Sequence, residues 1–284
     1  MRKVDYLELG GTLYIPIMQK NLLKILKKEK FPFLTSIVIC FEDSTHQKDV
    51  EKGVVLLQEY LNEFEVSNLK VFIRPRNISN LETILKLKNL QKIDGFVLPK
   101  IDLENIDNYL FLESYNVMLT LEKIFNEDKL FKLYEKFQNF KNILSIRIGL
   151  EDILGSFGLM RDCNKTFFQN PLISGFFFDV YKIFKPKYNL SAPVYSCLEN
   201  ENIFIKELQN EIDFNIFNKT IIHPNHSKII NECYKVTKKE LEIANYLLSS
   251  KEAIFKANGR MFEYKTHKNW AKTIIKRGEF YGTK

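Results

Sequence analysis

Eight apolar runs of strand length, alternating with segments whose apolar residues recur at helical spacing, constrain this chain more than any other feature. The runs are Thr12–Ile17, Leu34–Phe41, Leu69–Ile73, Gly95–Leu98, Val117–Leu121, Ile143–Ile148, Pro193–Ser196 and Thr220–Ile222. Strand and helix in alternation build βα units around a parallel sheet, and eight parallel strands close a barrel. The expected class is therefore α/β, a TIM (β/α)8 barrel. Helices are predicted over Gln47–Phe64, Asn80–Leu90, Glu127–Phe137, Asn202–Glu211 and Ser227–Tyr234. The second of these follows Ser79 as its cap, with Glu82 in the first turn.

Two places break the rhythm. Gly149 to Ala192 is long enough for extra helices after the sixth strand, with a break at Asn170-Pro171. Thr237–Lys256 is amphipathic and opens on a capping-box pattern, Thr237 with Glu240, before Asn258-Gly259 stops it. The tail from Arg260 to Lys284 carries the only tryptophan, Trp270. The expected organisation is a catalytic barrel over 1–236 and a C-terminal helical extension over 237–284, packing on the barrel or on a neighbouring subunit.

Charge and cysteine content narrow the function classes. The net charge of +7 arises from 42 Lys plus Arg against 35 Asp plus Glu. The lysines are spread along helices, the densest group being Lys24, Lys27, Lys28 and Lys30 on the first. That pattern suits a mild pull on anionic substrates and argues against a nucleic-acid partner. Asp5 and Glu8 interrupt any amino-terminal signal, and Pro171 to Phe184 is too short to span a bilayer. A soluble, cytoplasmic protein without a membrane partner is expected. Cys40, Cys163, Cys197 and Cys233 have no Cys-x-x-Cys spacing, so neither zinc nor a disulfide framework is expected, and the thiols read as reduced.

The strand ends carry the chemistry. In a parallel barrel, catalytic groups gather where strands finish. Glu122 closes the fifth run and Asp152 follows the sixth, while Glu42-Asp43, Arg74, Arg76 and Lys100 end earlier ones. Neighbouring strands lie about 4.8 Å apart, so Glu122 and Asp152 could grip one small cation; alternatively they are solvent-facing acids opening the next helices. Arg74 can bind a carboxylate through two parallel hydrogen bonds, or pair with Glu42 or Asp43 across the mouth. Arg76 is a secondary substrate contact, and Lys100 offers electrostatic support rather than covalent catalysis. Gly149 would let backbone approach a ligand, and Arg147 would pair with a barrel acid. His223, before Pro224, reads as ordering a turn, His226 likewise. Phe176-Phe177-Phe178 reads as packing or subunit contact.

Several strand-end segments occur in an order seen elsewhere: Leu13-Tyr14-Ile15-Pro16, Cys40-Phe41-Glu42-Asp43-Ser44, Phe72-Ile73-Arg74, Gly95-Phe96-Val97-Leu98-Pro99-Lys100, Leu119-Thr120-Leu121-Glu122 and Ile222-His223-Pro224. Together they resemble the aldolase and citrate lyase beta-subunit family. Arg74-Pro75-Arg76-Asn77 and the late His267 to Gly282 segment resemble its divergent carbon–carbon bond lyase subgroup. The resemblance implies a TIM barrel binding magnesium through Glu122 and Asp152. It implies that Arg74 holds the substrate's carboxylate or carbonyl oxygen, with Glu42-Asp43 as the acidic pair after the second strand. It also implies a homotrimer or homohexamer. The chain departs from the family at Ile17, where glycine is usual, and at Gly11-Thr12, where Arg-Ser is usual; some relatives hold a coenzyme A or carrier arm there. The expectation is a Mg²⁺-dependent carbon–carbon lyase or aldolase acting on a small anionic carbonyl compound, which could be an acyl thioester. A thioesterase of the same family and a non-catalytic barrel binding an anionic metabolite are the alternatives.

Overall fold

The computed structural model describes residues 2–250 and 252–284. Its sheet has eight parallel strands: β1 (Gly10–Pro16), β2 (Ser36–Cys40), β3 (Lys70–Arg74), β4 (Gly95–Leu98), β5 (Asn116–Leu121), β6 (Ile143–Ile148), β7 (Leu190–Ser191) and β8 (Asn218–Ile221). They pair in the order β7-β6-β5-β4-β3-β2-β1-β8, and an isolated parallel bridge from Ala192 to Lys219 joins the two ends. The result is a nearly closed TIM barrel, as the alternating runs require.

Helices α1 (Leu22–Leu26), α2 (Val50–Glu63), α3 (Ile78–Ile84), α4 (Glu127–Phe137), α5 (Leu150–Ser156), α6 (Pro171–Phe184), α7 (Glu201–Asp213) and α8 (Pro224–Tyr234) follow the strands. A 3-10 helix, Ile106–Leu112, connects β4 to β5. The strands are rich in apolar residues because helices cover their outer faces: Ile37, Ile39, Val71, Ile73, Phe96 and Leu119 are all buried. The barrel interior is partly polar. Ser36 donates to Thr12 Oγ1 at 2.9 Å and Asn218 Nδ2 donates to the same oxygen at 2.7 Å, tying β2, β1 and β8 together inside the barrel. Two residues further along β1, β3, β6 and β8 stand Tyr14, Arg74, Arg147 and Thr220, on the same inward alternation.

The chain divides into two compact units, Met1–Lys228 and Ile229–Lys284. The second contains α9 (Lys238–Ser249), a hairpin of β9 (Ile254–Ala257) and β10 (Arg260–Glu263), and α10 (Tyr264–Tyr281). Val236, Ala244, Leu247, Phe262, Ala271 and Ile274 form its core. Among the described residues no helix is long and apolar enough to cross a membrane.

Four expectations are corrected. The seventh strand is Leu190–Ser191 rather than Pro193–Ser196. Ala192 N–H still donates to Asn218 O at 2.8 Å, but Pro193 has no N–H to continue the ladder. Helix α3 ends at Ile84 and is capped by Asn77, whose side chain accepts from Asn80 N–H, leaving Ser79 inside the helix. Helix α9 keeps the expected capping box but ends at Ser249, whose successor Ser250 is extended. Lys251, within the expected Thr237–Lys256 helix, lies outside the described residues. Asn258 and Gly259, at φ 48° and 72°, make the tight turn between β9 and β10, and the tail beyond is mostly the single helix α10. Finally, Cys163 and Cys197 form a disulfide with Cα atoms 5.6 Å apart, while Cys40 and Cys233 are not disulfide-bonded. The loops leaving β6 and β7 emerge at the same barrel end, which joins cysteines whose spacing carries no motif.

Candidate active site

A cavity of about 390 Å³ opens at the carboxyl ends of the strands. Asp43, Arg74, Glu122, Arg147 and Asp152 line it together with Tyr14, Thr120 and Thr220. Glu42 lies buried beneath the rim. Its carboxylate pairs with Arg74 Nη1 at 2.9 Å and with Lys100 Nζ at 2.8 Å, and Lys100 also reaches Asp43 Oδ1 at 3.4 Å. Both readings of Arg74 are thus compatible with its placement: it is ion-paired across the mouth and lines the cavity. Its Nε also donates to Cys40 Sγ at 3.2 Å. Burial opposes the Arg74 charge, but Cys40, Tyr14 and Glu42 outweigh it and hold the guanidinium firmly protonated. Burial likewise opposes the Lys100 ammonium, and the Glu42 hydrogen bond and charge raise its pKa. Lys100 has a left-handed backbone, φ 51°, fixed by Asn105 Nδ2 donating to its carbonyl at 2.7 Å. A lysine so charged is no Schiff-base nucleophile.

Glu122 is the unsatisfied acid of the site. It is buried, Oε1 stands 4.0 Å from Arg74 Nη1, and Oε2 has no hydrogen-bond partner. Burial, then repulsion from Glu42 and Asp152, pushes its pKa up to about 8. Gly149 makes the placement possible. A Cβ there would overlap Glu122 Cγ, and its N–H donates to Leu121 O at 2.8 Å. The glycine therefore admits the glutamate and also lines the cavity. Asp152 is exposed in the first turn of α5 and faces the same cavity.

These residues fit a divalent cation on physical grounds. An orphaned buried carboxylate oxygen with a raised pKa, repelled by a second acid, is what a site looks like when positive charge completes it. Among the described residues no group of three or more His, Cys, Asp and Glu side chains is set to hold an ion. Mg²⁺ accepts two carboxylates with water and substrate oxygens in its remaining positions.

The family described as C-C bond lyase of the TIM-barrel fold matches residues 3–283. The chain belongs to that family. Its members are carbon–carbon lyases of the citrate lyase beta-subunit type. The chain is similar in structure to CitE from Mycobacterium tuberculosis in complex with magnesium, acetoacetate and coenzyme A, at 14% identity and TM-score 0.72, covering 95% of this chain and 98% of that one. A citrate lyase from Burkholderia xenovorans LB400 superposes at 15% identity and TM-score 0.77, covering 97% and 93%. The citrate lyase beta subunit from M. tuberculosis complexed with oxaloacetate and magnesium gives 11% identity and TM-score 0.61, covering 80% and 98%. At these identities the likeness establishes the barrel. No curated protein matches the sequence.

Two residues sit elsewhere than expected. Arg76 turns away from the cavity, donating to Thr45 O at 2.9 Å, and so fixes the loop after β2. Arg147 pairs with no acid: its Nη2 donates to Thr220 Oγ1, and Nη1 lies 3.1 Å from Met118 Sδ and 3.4 Å from Asn218 Oδ1. The sequence signal was a charge inside an otherwise apolar run, on the inward alternation. Ile17 is fully buried against α2, where a Cβ on Gly53 would come within 2.9 Å of it. His223 is half-buried and accepts from Asn225 N–H at 3.4 Å, within the turn that opens α8. His226 stacks on Phe204 at 4.3 Å between ring centroids, and burial, then the charges of His223 and Lys219, depress its pKa to about 4.

Proposed function

We propose that this protein is a Mg²⁺-dependent lyase cleaving a carbon–carbon bond in a small hydroxylated anion, next to a carbonyl group. The observation that carries the reading is Glu122: a buried carboxylate with a free oxygen, sharing one cavity with Asp152 and Arg74. Glu122 and Asp152 would hold the ion, whose Lewis acidity serves a carbonyl oxygen when it is bound. The magnesium complexes of the M. tuberculosis relatives support the assignment.

The chain's own residues divide the remaining work. Arg74, fixed by Glu42, orients the substrate's oxygen-bearing end with a planar guanidinium. Glu42 is held by two cations and fixes Arg74 in place. Asp43, exposed at the rim with Lys100 Nζ 3.4 Å from its Oδ1, would accept a proton. As the bond breaks, the substrate hydroxyl gives its proton to Asp43 and becomes a carbonyl. The bonding pair passes to the fragment that already carries a carbonyl, which is protonated afterwards. The apolar half of the lining, including Ile148, Leu150, Val194 and Ile222, limits water at that carbon. Coenzyme A in one relative leaves room for a thioester substrate; product analysis separates a lyase, which releases two carbon fragments, from a thioesterase, which releases acid and free thiol.

Asp152→Ala is the direct test. Calorimetric titration should show loss of Mg²⁺ binding, and turnover of β-hydroxy acids and their thioesters should fall to background with circular dichroism unchanged. Full activity in this variant refutes the metal assignment.

A further inference from the structure

Of the two arginines lining the cavity, Arg74 is ion-paired and Arg147 is not. Arg147 is 1% exposed, its Nε has no partner, and its other contacts are neutral: the Thr220 and Tyr14 hydroxyls, the Asn218 amide and the Met118 thioether. Among the described residues no carboxylate lies within ion-pair distance of it. Glu42 is taken by Arg74 and Lys100, and Glu122 leans towards Arg74. The face of Tyr14 lies 5.3 Å from the Arg147 guanidinium, but the same ring also serves Arg74 at 5.1 Å. A buried ion without a counter-charge is among the most costly groups a fold can hold. Burial lowers the Arg147 pKa, yet a guanidinium does not shed its proton in a protein, so the group cannot escape by becoming neutral. Thr120 repeats the pattern nearby: its hydroxyl is buried, unpartnered and on the same cavity wall.

The geometry points to Arg147 as an anion-binding residue that receives the substrate's carboxylate at the inner end of the cavity, with the Thr120 hydroxyl donating beside it. Arg74 is already engaged by Glu42 and orients the ligand nearer the mouth, where Glu122 and Asp152 stand. The ligand class is a small free carboxylate that enters acid-first. An uncharged amide or ester at that end leaves the guanidinium unpaired, so the site rejects it. This assignment rests on the cavity being the substrate site, and neither on the metal nor on bond cleavage.

Equilibrium titration in EDTA keeps those questions apart. Pyruvate and its uncharged amide, pyruvamide, are the probes, followed by calorimetry or ligand-observed NMR. The protein should bind pyruvate at least about tenfold more tightly than pyruvamide, the difference expected of a charge-assisted pair. Arg147→Met should erase that preference and leave pyruvamide affinity unchanged, an outcome that a purely structural arginine would not give. Arg147→Lys, a point charge without the planar fork, should keep part of it. Equal binding of both probes by the unaltered protein, or binding of neither, overturns the assignment, as does a folded Arg147→Met protein that retains the preference. Should Arg147→Met fail to fold, Arg147→Lys decides, and an undiminished preference there overturns it. Carboxylate selectivity without any turnover would instead sink the lyase reading and leave this one standing.

Discussion

Glu122 shows how a single position is prepared by its neighbours. A glutamate at the end of β5 is buried only because residue 149, at the end of β6, has no side chain to exclude it. The acid then sits among Glu42, Asp152 and apolar walls, and its pKa rises to about 8. The sign of the resulting pH dependence follows from linkage. Between the unfolded carboxyl value near 4.5 and about 8, the folded protein keeps a proton that the unfolded chain has lost. Stability of the metal-free protein therefore falls as pH rises through that window, and Glu122→Gln should remove Glu122's share of the slope. Glu211, whose carboxyl is also raised by burial, is present in both proteins and cancels in the difference. His226 acts oppositely: depressed to about 4 from 6.5, it takes stability away as pH falls between those values, again equally in both. Melting temperatures measured in EDTA from acid to mild alkali check this; identical slopes in the two proteins would sink it.

At the scale of elements, the loops leaving β6 and β7 matter most. The first carries Asp152, α5 and Cys163, and the second carries Val194 of the cavity wall and Cys197. Their disulfide closes a loop of sequence separation 34. A cross-link of that span restricts the unfolded chain by about 2–4 kcal/mol. Cys163→Ser with Cys197→Ser should lower unfolding free energy by that amount in urea titrations, and a dithiol reductant should do the same to the unaltered protein but nothing to the variant. This bond was not legible in the sequence, because sequence spacing says nothing of loops that meet in space. By contrast, β4, β6 and α4 fall where periodicity places them, since each is bounded by sharp polar or glycine signals. Strand β7 was misplaced because Pro193-Val194-Tyr195 is apolar yet cannot continue a ladder. Asn258-Gly259 was read as a helix stop, although the same pair makes hairpin turns, and only the pairing of β9 with β10 separates the two meanings. Of the site, the acids and Arg74 were visible as charges after apolar runs. Arg147 was visible too, but its lack of a partner depends on which side chains share the barrel interior.

Over the whole molecule, the barrel is thinnest where β7 meets β8. Strand β7 has two residues, and beyond them only the Ala192–Lys219 bridge links it to β8. Behind that bridge Lys219 points outward, fully buried, donating to Pro193 O at 2.8 Å, Glu207 Oε1 at 2.9 Å and Glu211 Oε1 at 2.5 Å. Arg161 from the β6 loop also pairs with Glu207 and donates to Val194 O at 2.7 Å. One ammonium thus ties β8, the segment after β7 and helix α7 together where backbone pairing is thin. Lys219→Met should cost about 3–5 kcal/mol, because it leaves buried Glu211 without a cation, Glu207 with Arg161 alone and the Pro193 carbonyl without its donor. Glu211→Gln should cost far less, since burial already favours the protonated carboxyl and the amide can still accept from Lys219. Urea midpoints for the two variants measure the contrast. If Lys219→Met loses less than about 1 kcal/mol, a surface-pair value, the network does not close the barrel, and the short hydrogen-bond ladder of β7 suffices by itself.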